Sequence, residues 1–197
     1  MKRHHLLLIV AAVALSIYSG CSEDNLLNGP SGSYPSGMPL SAPFSIVGPS
    51  DVVMCIDVSD SISADELSAA IGALGGSLSD PDLVPQEGVI AVAAIVYGDT
   101  TETLYGLTPV TADNLTNIIL PGLQGLLPDR IVGGAGFDLS GALTKAGAIL
   151  NASGSPDDHV LIIGSGAAEY PDSAGAICDA LGEAGVMVSA VGVAPDD

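Results

Sequence analysis

The chain has 197 residues and a formal net charge of −19, with 48% apolar residues but only 4% aromatic ones and no Trp. That length accommodates one well-cored domain plus extensions, and the core must be built from Val, Ile, Leu and Ala, with Gly allowing close approach. So acidic a surface repels nucleic acid and anionic headgroups, which excludes electrostatic binding of either; it suits cations, basic partners or a saline exterior, or serves solubility alone.

Residues 1–20 form a unit of their own. "MKRHH" is a basic stretch, "LLLIVAAVALSI" a short apolar run and "YSGC" a small-residue ending, the pattern of a secretory signal peptide. A Cys directly after Ser19-Gly20 resembles the lipobox of bacterial lipoproteins. That resemblance implies cleavage behind Gly20 and lipid modification of Cys21. Because Ser22 rather than Asp follows, it also implies an outer-membrane destination in a diderm bacterium. The alternative is a plain signal peptide cut nearby, with Cys21 incidental. Loss of residues 1–20 removes Lys2 and Arg3 and leaves Arg130 and Lys145 against 23 acidic residues, a formal charge of −21.

Residues 21–50 follow as a tether. From Ser22 to Ser50 there are 5 Pro, 4 Gly and 7 Ser, so 16 of 29 positions resist regular structure. After residue 20 no apolar run is long enough to span a bilayer.

From residue 51 to residue 197 strands and helices alternate. "VVMCIDV" is a continuous apolar run, as expected of a strand buried on both faces. "SADELSAAIGALGGSL" predicts a helix with Ser63 as N-cap and Glu66 completing a capping box. Its Leu67, Ala70, Ile71, Leu74 and Leu78 recur at helical spacing. "GVIAVAAIVYG" is a second buried strand, and "TETLYGLTPV", after a "GDT" turn, a more polar one. "TADNLTNIILPGLQGLL" reads as a helix capped by Thr111 and disturbed at Pro121. "DLSGALTKAGAILN" is a helix, "HVLIIGSG" a strand, "PDSAGAICDALGEAG" a helix and "VMVSAVGVA" the last strand. An oxidising compartment would allow Cys55 and Cys178 to pair, but Cys55 falls mid-strand and Cys178 mid-helix, which favours two buried free thiols. Such alternation gives an α/β fold, a parallel sheet wrapped on both faces, whose ligands bind at the carboxyl ends of the strands.

At that end of the first strand stands D-x-S-x-S: Asp57, Ser59 and Ser61. In an extended segment these three share one face, pointing a carboxylate and two hydroxyls at a common point. Hard divalent cations take oxygen ligands, and magnesium keeps an octahedral shell, so three oxygens are half a site. The same residues have a second use without any ion, Asp57 accepting N–H groups of the turn and the serines capping the next helix.

"VVMCIDVSDSIS" and its helix, then "GVIAVAAIVYGDTTETLYGLTPV" and "GAGFDLSGALTKAGAIL", together resemble a von Willebrand factor type A domain over about residues 50–194. The resemblance implies a Rossmann-like, doubly wound, mostly parallel sheet with one antiparallel edge strand. It also implies a metal-ion-dependent adhesion site that binds Mg2+ or Mn2+ and offers an open position to an acidic group of a partner. Asp57, Ser59 and Ser61 match the first loop of that site. The second loop departs: counting back from Leu143 puts Phe137 where the family has Thr, with Asp138 beside it as a substitute ligand. The third departs as well, with Gly164 and Ser165 in the Thr and Asp places.

Enzyme signatures fail one by one. Ile163 breaks the nucleophile elbow around Ser165, and His159 lies roughly 20 Å away at the other end of its strand. "GGAGFD" and "GSGAAE" complete neither G-x-G-x-x-G nor a P-loop. Glu169, Asp172 and Asp179 read as a solvated helix face. The reading is therefore a non-catalytic cell-envelope module that binds a protein or envelope component, either metal-assisted or metal-free with a decayed site.

One further expectation concerns residues 186–193. The family usually carries another strand and a helix beyond this segment, whereas the chain stops at Asp197, so 186–193 is expected at a sheet edge. No Lys, internal Pro or charge blunts it, which predicts pairing in a homodimer or with a partner's strand, unless the linker "APFSIVG" covers it.

Overall fold

In the computed structural model, residues 49–127, 136–164 and 172–192 are described. Among these residues five strands form one sheet: β1 (Ser50–Asp57), β2 (Glu87–Tyr97), β3 (Thr101–Thr111), β4 (Asp157–Gly164) and β5 (Met187–Gly192), in the order β3-β2-β1-β4-β5. β1 runs parallel to both β2 and β4, β4 runs parallel to β5, and only β3 is antiparallel. The mostly parallel sheet with one antiparallel edge strand is therefore as expected. Parallel neighbours need crossovers, and four helical segments supply them: α1 (Ala64–Ser79), α2 (residues 112–124), α3 (Leu139–Ser153) and α4 (Asp172–Glu183).

Period-two alternation divides the core between the two faces of the sheet. Met54 and Ile56 of β1 join Leu67 and Ile71 of α1 and Ile119 and Leu123 of α2. Val53 and Cys55 join Leu139, Leu143 and Leu150 of α3 and Leu181 of α4. Strands buried on both faces explain the unbroken apolar runs at β1 and β2. Full burial of a side chain such as Ile56 stabilises the fold by about 1.5–3 kcal/mol. Cys55 and Cys178 are both buried as thiols. Burial pushes the Cys55 thiol up to about 12.

The capping box of α1 is present in full: Glu66 N donates to Ser63 Oγ at 3.2 Å, and Ser63 N donates to Glu66 Oε2 at 2.7 Å. Thr111 caps α2 as expected, accepting from Asn114 N at 3.2 Å. The disturbance in α2 falls earlier than Pro121. Leu115–Ile119 is π-helical, and Leu120 N donates to the carbonyl of Leu115. Pro121 cannot donate, so widening the turn just before it moves the break in the ladder ahead of the ring.

Among the described residues β5 stands at one end of the sheet, with β4 as its neighbour. Val188 and Ala190 pack toward the α3 and α4 face, while Met187 is 44% exposed.

Candidate functional site

The site is assembled by the carboxyl ends of β1, β2 and β4. Asp57 closes β1 opposite Tyr97 of β2, and Val58 N donates to Tyr97 O at 2.9 Å. Beyond Asp57 the chain curls instead of continuing extended: Ser59 N donates to Asp57 Oδ1 at 2.8 Å, and Ile62 N to Ser59 O at 3.2 Å. This corrects the expectation that simple alternation would align Asp57, Ser59 and Ser61. The carboxylate draws the chain into a turn of its own. The turn still gathers the polar groups, because Ser59 Oγ and Ser61 Oγ come to 2.6 Å.

Asp57 is 0% exposed and Ser59 2%. With Oδ1 occupied by Ser59 N, Oδ2 of Asp57 has no hydrogen-bond partner among the described residues. The single Lys or Arg among those residues, Lys145, donates its Nζ to the carbonyl of Thr101. A buried carboxylate costs several kcal/mol unless its charge is met. Gly164, the last residue of β4, lies beside it: a Cβ there would be tight against the Tyr97 hydroxyl, at 3.1 Å, and in ordinary contact with Asp57 Oδ2, at 3.4 Å.

Phe137 and Asp138 sit at the entry to α3. Phe137 packs edge-on against Tyr97, ring centroids 5.3 Å apart and planes at 79°. Asp138 is the N-cap of α3, its Oδ1 accepting from Gly141 N at 3.0 Å, and its own N donates to Gly98 O at 2.8 Å. A contact that sequence reading missed holds this loop as well: Gly136 N donates to Asp99 Oδ1. The "GDT" turn was legible only as a turn, and nothing local marks Asp99 as a partner of residue 136.

These residues can be tested against a hard divalent cation, the group that the fold resemblance implies. The orphaned oxygen of Asp57 and the Ser59 and Ser61 hydroxyls suit one, as half of an octahedral set. Phe137 and Gly164 bring no side-chain oxygen. Asp138 has one oxygen committed to the helix cap, which leaves it Oδ2. Among the described residues no group of three or more His, Cys, Asp or Glu gathers to hold a metal, so a cation here would rely on hydroxyls and water. Cys21 and Ser165 lie outside the described residues. His159 is at the opposite, amino end of β4.

No family model matches the chain, and no curated protein matches it. Solved structures do. BatB, a conserved hypothetical protein from Bacteroides thetaiotaomicron, is 20% identical with a TM-score of 0.58, over 72% of this chain and 65% of that one. The manganese-loaded TRAP protein of Plasmodium vivax is 18% identical with a TM-score of 0.59, over 73% of this chain and 56% of its own. The von Willebrand factor type A structure from Catenulispora acidiphila is 16% identical with a TM-score of 0.56, over 73% and 32% respectively. This chain thus spans less than two thirds of each of these three structures. Identities this low speak for architecture alone. In strand order, single antiparallel edge and paired helical layers, the domain has the von Willebrand A-like fold.

Proposed function

We propose that this domain is a non-catalytic binding module that engages another protein or an envelope component through the carboxyl end of its sheet. A divalent cation, Mg2+ or Mn2+, would be held by Asp57, Ser59 and Ser61, with Asp138 contributing its remaining oxygen. The observation that carries the reading is the buried Asp57 carboxylate, whose Oδ2 has no partner among the described residues, beside two hydroxyls 2.6 Å apart. A cation there offsets the cost of burying that charge, and its other coordination positions are left to water or a partner's carboxylate. The manganese-loaded TRAP structure, which shares the fold, supports the same chemistry. The test is whether magnesium or manganese stabilises the wild type and fails to stabilise Asp57→Ala.

A metal-free form of the same module has its own support: Phe137 fills a ligand's place with a packed ring, and Asp138 is already employed as a cap. In either form the module acts from the cell envelope, tethered by residues 21–50 to a lipidated Cys21, in the outer membrane of a diderm bacterium. Its other surface of contact is the β5 edge, uncharged and free of Pro, which suits a second copy in a homodimer or a partner's strand.

A further inference from the structure

We propose that Asp99 is a positioning residue that fastens the loop entering α3, so that the carboxyl-end site keeps its shape whether or not a cation is bound. The inference rests on the reading of that end as the binding site, and it concerns how that site is held in shape.

The loop is held on alternate residues. Gly136 N donates to the Asp99 carboxylate and Asp138 N donates to Gly98 O at 2.8 Å, so both anchors come from the turn after β2. Between them Phe137 lies edge-on against the fully buried Tyr97 ring. The turn is closed on itself by Gly98 N donating to Thr100 O at 3.0 Å. Residue 136 has to be Gly for the approach, because a Cβ there would lie 2.8 Å from Asp99 Cα. Through Tyr97 O, which accepts from Val58 N at 2.9 Å, the same clamp borders the Asp57 turn.

Each of these contacts is made by the chain alone. Phe137 offers no ligand, and Asp138 presents its remaining oxygen from a backbone already fixed by Asp138 N on Gly98 O and by Oδ1 on Gly141 N. Cation binding therefore engages the Asp57–Ser61 turn and the Asp138 side chain and leaves the backbone of residues 136–138 as it is. The site is built constitutively, and a cation adds charge to it without assembling it.

Amide hydrogen exchange on the full chain tests this, with magnesium or chelator as the only additions. In the wild type, exchange at residues 136–138 should be the same in both, within about twofold. Asp99→Ala should speed it about fivefold, the order expected for losing one such bond, with β1 and β4 amides unchanged. Asp99→Asn, which keeps the Oδ1 acceptor, should restore most of the protection. If Asp99→Ala loosens the whole sheet, the wild-type comparison and Asp99→Asn still decide the matter. Magnesium binding is read separately from the melting temperature, so its failure would remove the cation and leave the clamp standing. Wild-type protection at 136–138 that appears only with magnesium, or Asp99→Ala exchanging there like the wild type, would overturn the proposal.

Discussion

The hydroxyl oxygens of Ser59 and Ser61 stand 2.6 Å apart, one residue 2% exposed and the other on the surface. The two serines therefore divide stability from binding. Ser59→Ala removes a buried hydroxyl and should cost about 1 kcal/mol, while Ser61→Ala should stay within about 0.5 kcal/mol of the wild type. Both should weaken cation binding by a similar factor. Denaturant unfolding and a manganese titration measured on the same samples check the split.

A second pair sits at the opposite end of the sheet, where Asp51 of β1 is in register with Asp158 of β4. Burial first, then Asp51 and Asp157, hold the Asp158 carboxyl above its ordinary 3.8, with His159 opposing them. A raised carboxyl binds its proton more tightly folded than unfolded. Its penalty is absent below 3.8 and grows as pH rises through the folded value. His159 is held below its ordinary 6.5 by burial, against the pull of Asp157 and Asp158, so its penalty is absent above 6.5 and grows as pH falls below it. Asp158→Asn should raise the melting temperature at neutral pH, with the gain vanishing toward pH 3.8. His159→Gln should flatten the decline just below pH 6.5. Melting curves across pH at fixed salt would show both, and a gain for Asp158→Asn that is independent of pH would contradict the assignment.

Much of this molecule is legible in its sequence because the deciding interactions are local. The unbroken apolar runs at β1 and β2 announce burial on both faces, and the Ser63–Glu66 capping box is a pattern four residues long. The position of Asp57 at the carboxyl end of β1 follows from the strand itself. What could not be read depends on distance in the chain or on competition between neighbours. Asp99 meets Gly136 across 37 residues, and neither has a local signature for the contact. The π turn at Leu115–Ile119 is settled by where Pro121 lacks a donor, so the sequence marks the proline and not the turn. The curl after Asp57 arises because its carboxylate captures Ser59 N, an option that strand periodicity does not express.

Anchoring through Cys21 predicts a simple fractionation result. With Cys21 as the proposed point of lipid attachment, Cys21→Ser should move the protein from membranes to the soluble fraction. One acyl chain anchors only marginally, so stable anchoring requires two or more. Mutant protein that remains with membranes would contradict the lipid anchor.

The β5 edge predicts self-association. Val188 faces the core, so the informative change is at Met187, 44% exposed on the same strand. Met187→Lys should shift a dimer to monomer in light scattering while leaving the melting temperature within a few degrees. A wild type that is monomeric at high concentration, with no strand partner recovered, would contradict the edge's role.

The central claim is that the buried carboxylate of Asp57 is there for a cation, and a thermal-shift titration tests it most directly. A ligand that binds only the folded state adds about 2.7 kcal/mol at a hundredfold excess over its Kd, and roughly 5–10 °C in Tm for a domain of this size. Magnesium or manganese at millimolar concentration should raise the wild type by that order relative to chelator and leave Asp57→Ala unmoved. Equal shifts in wild type and Asp57→Ala, or no shift in either, would contradict it.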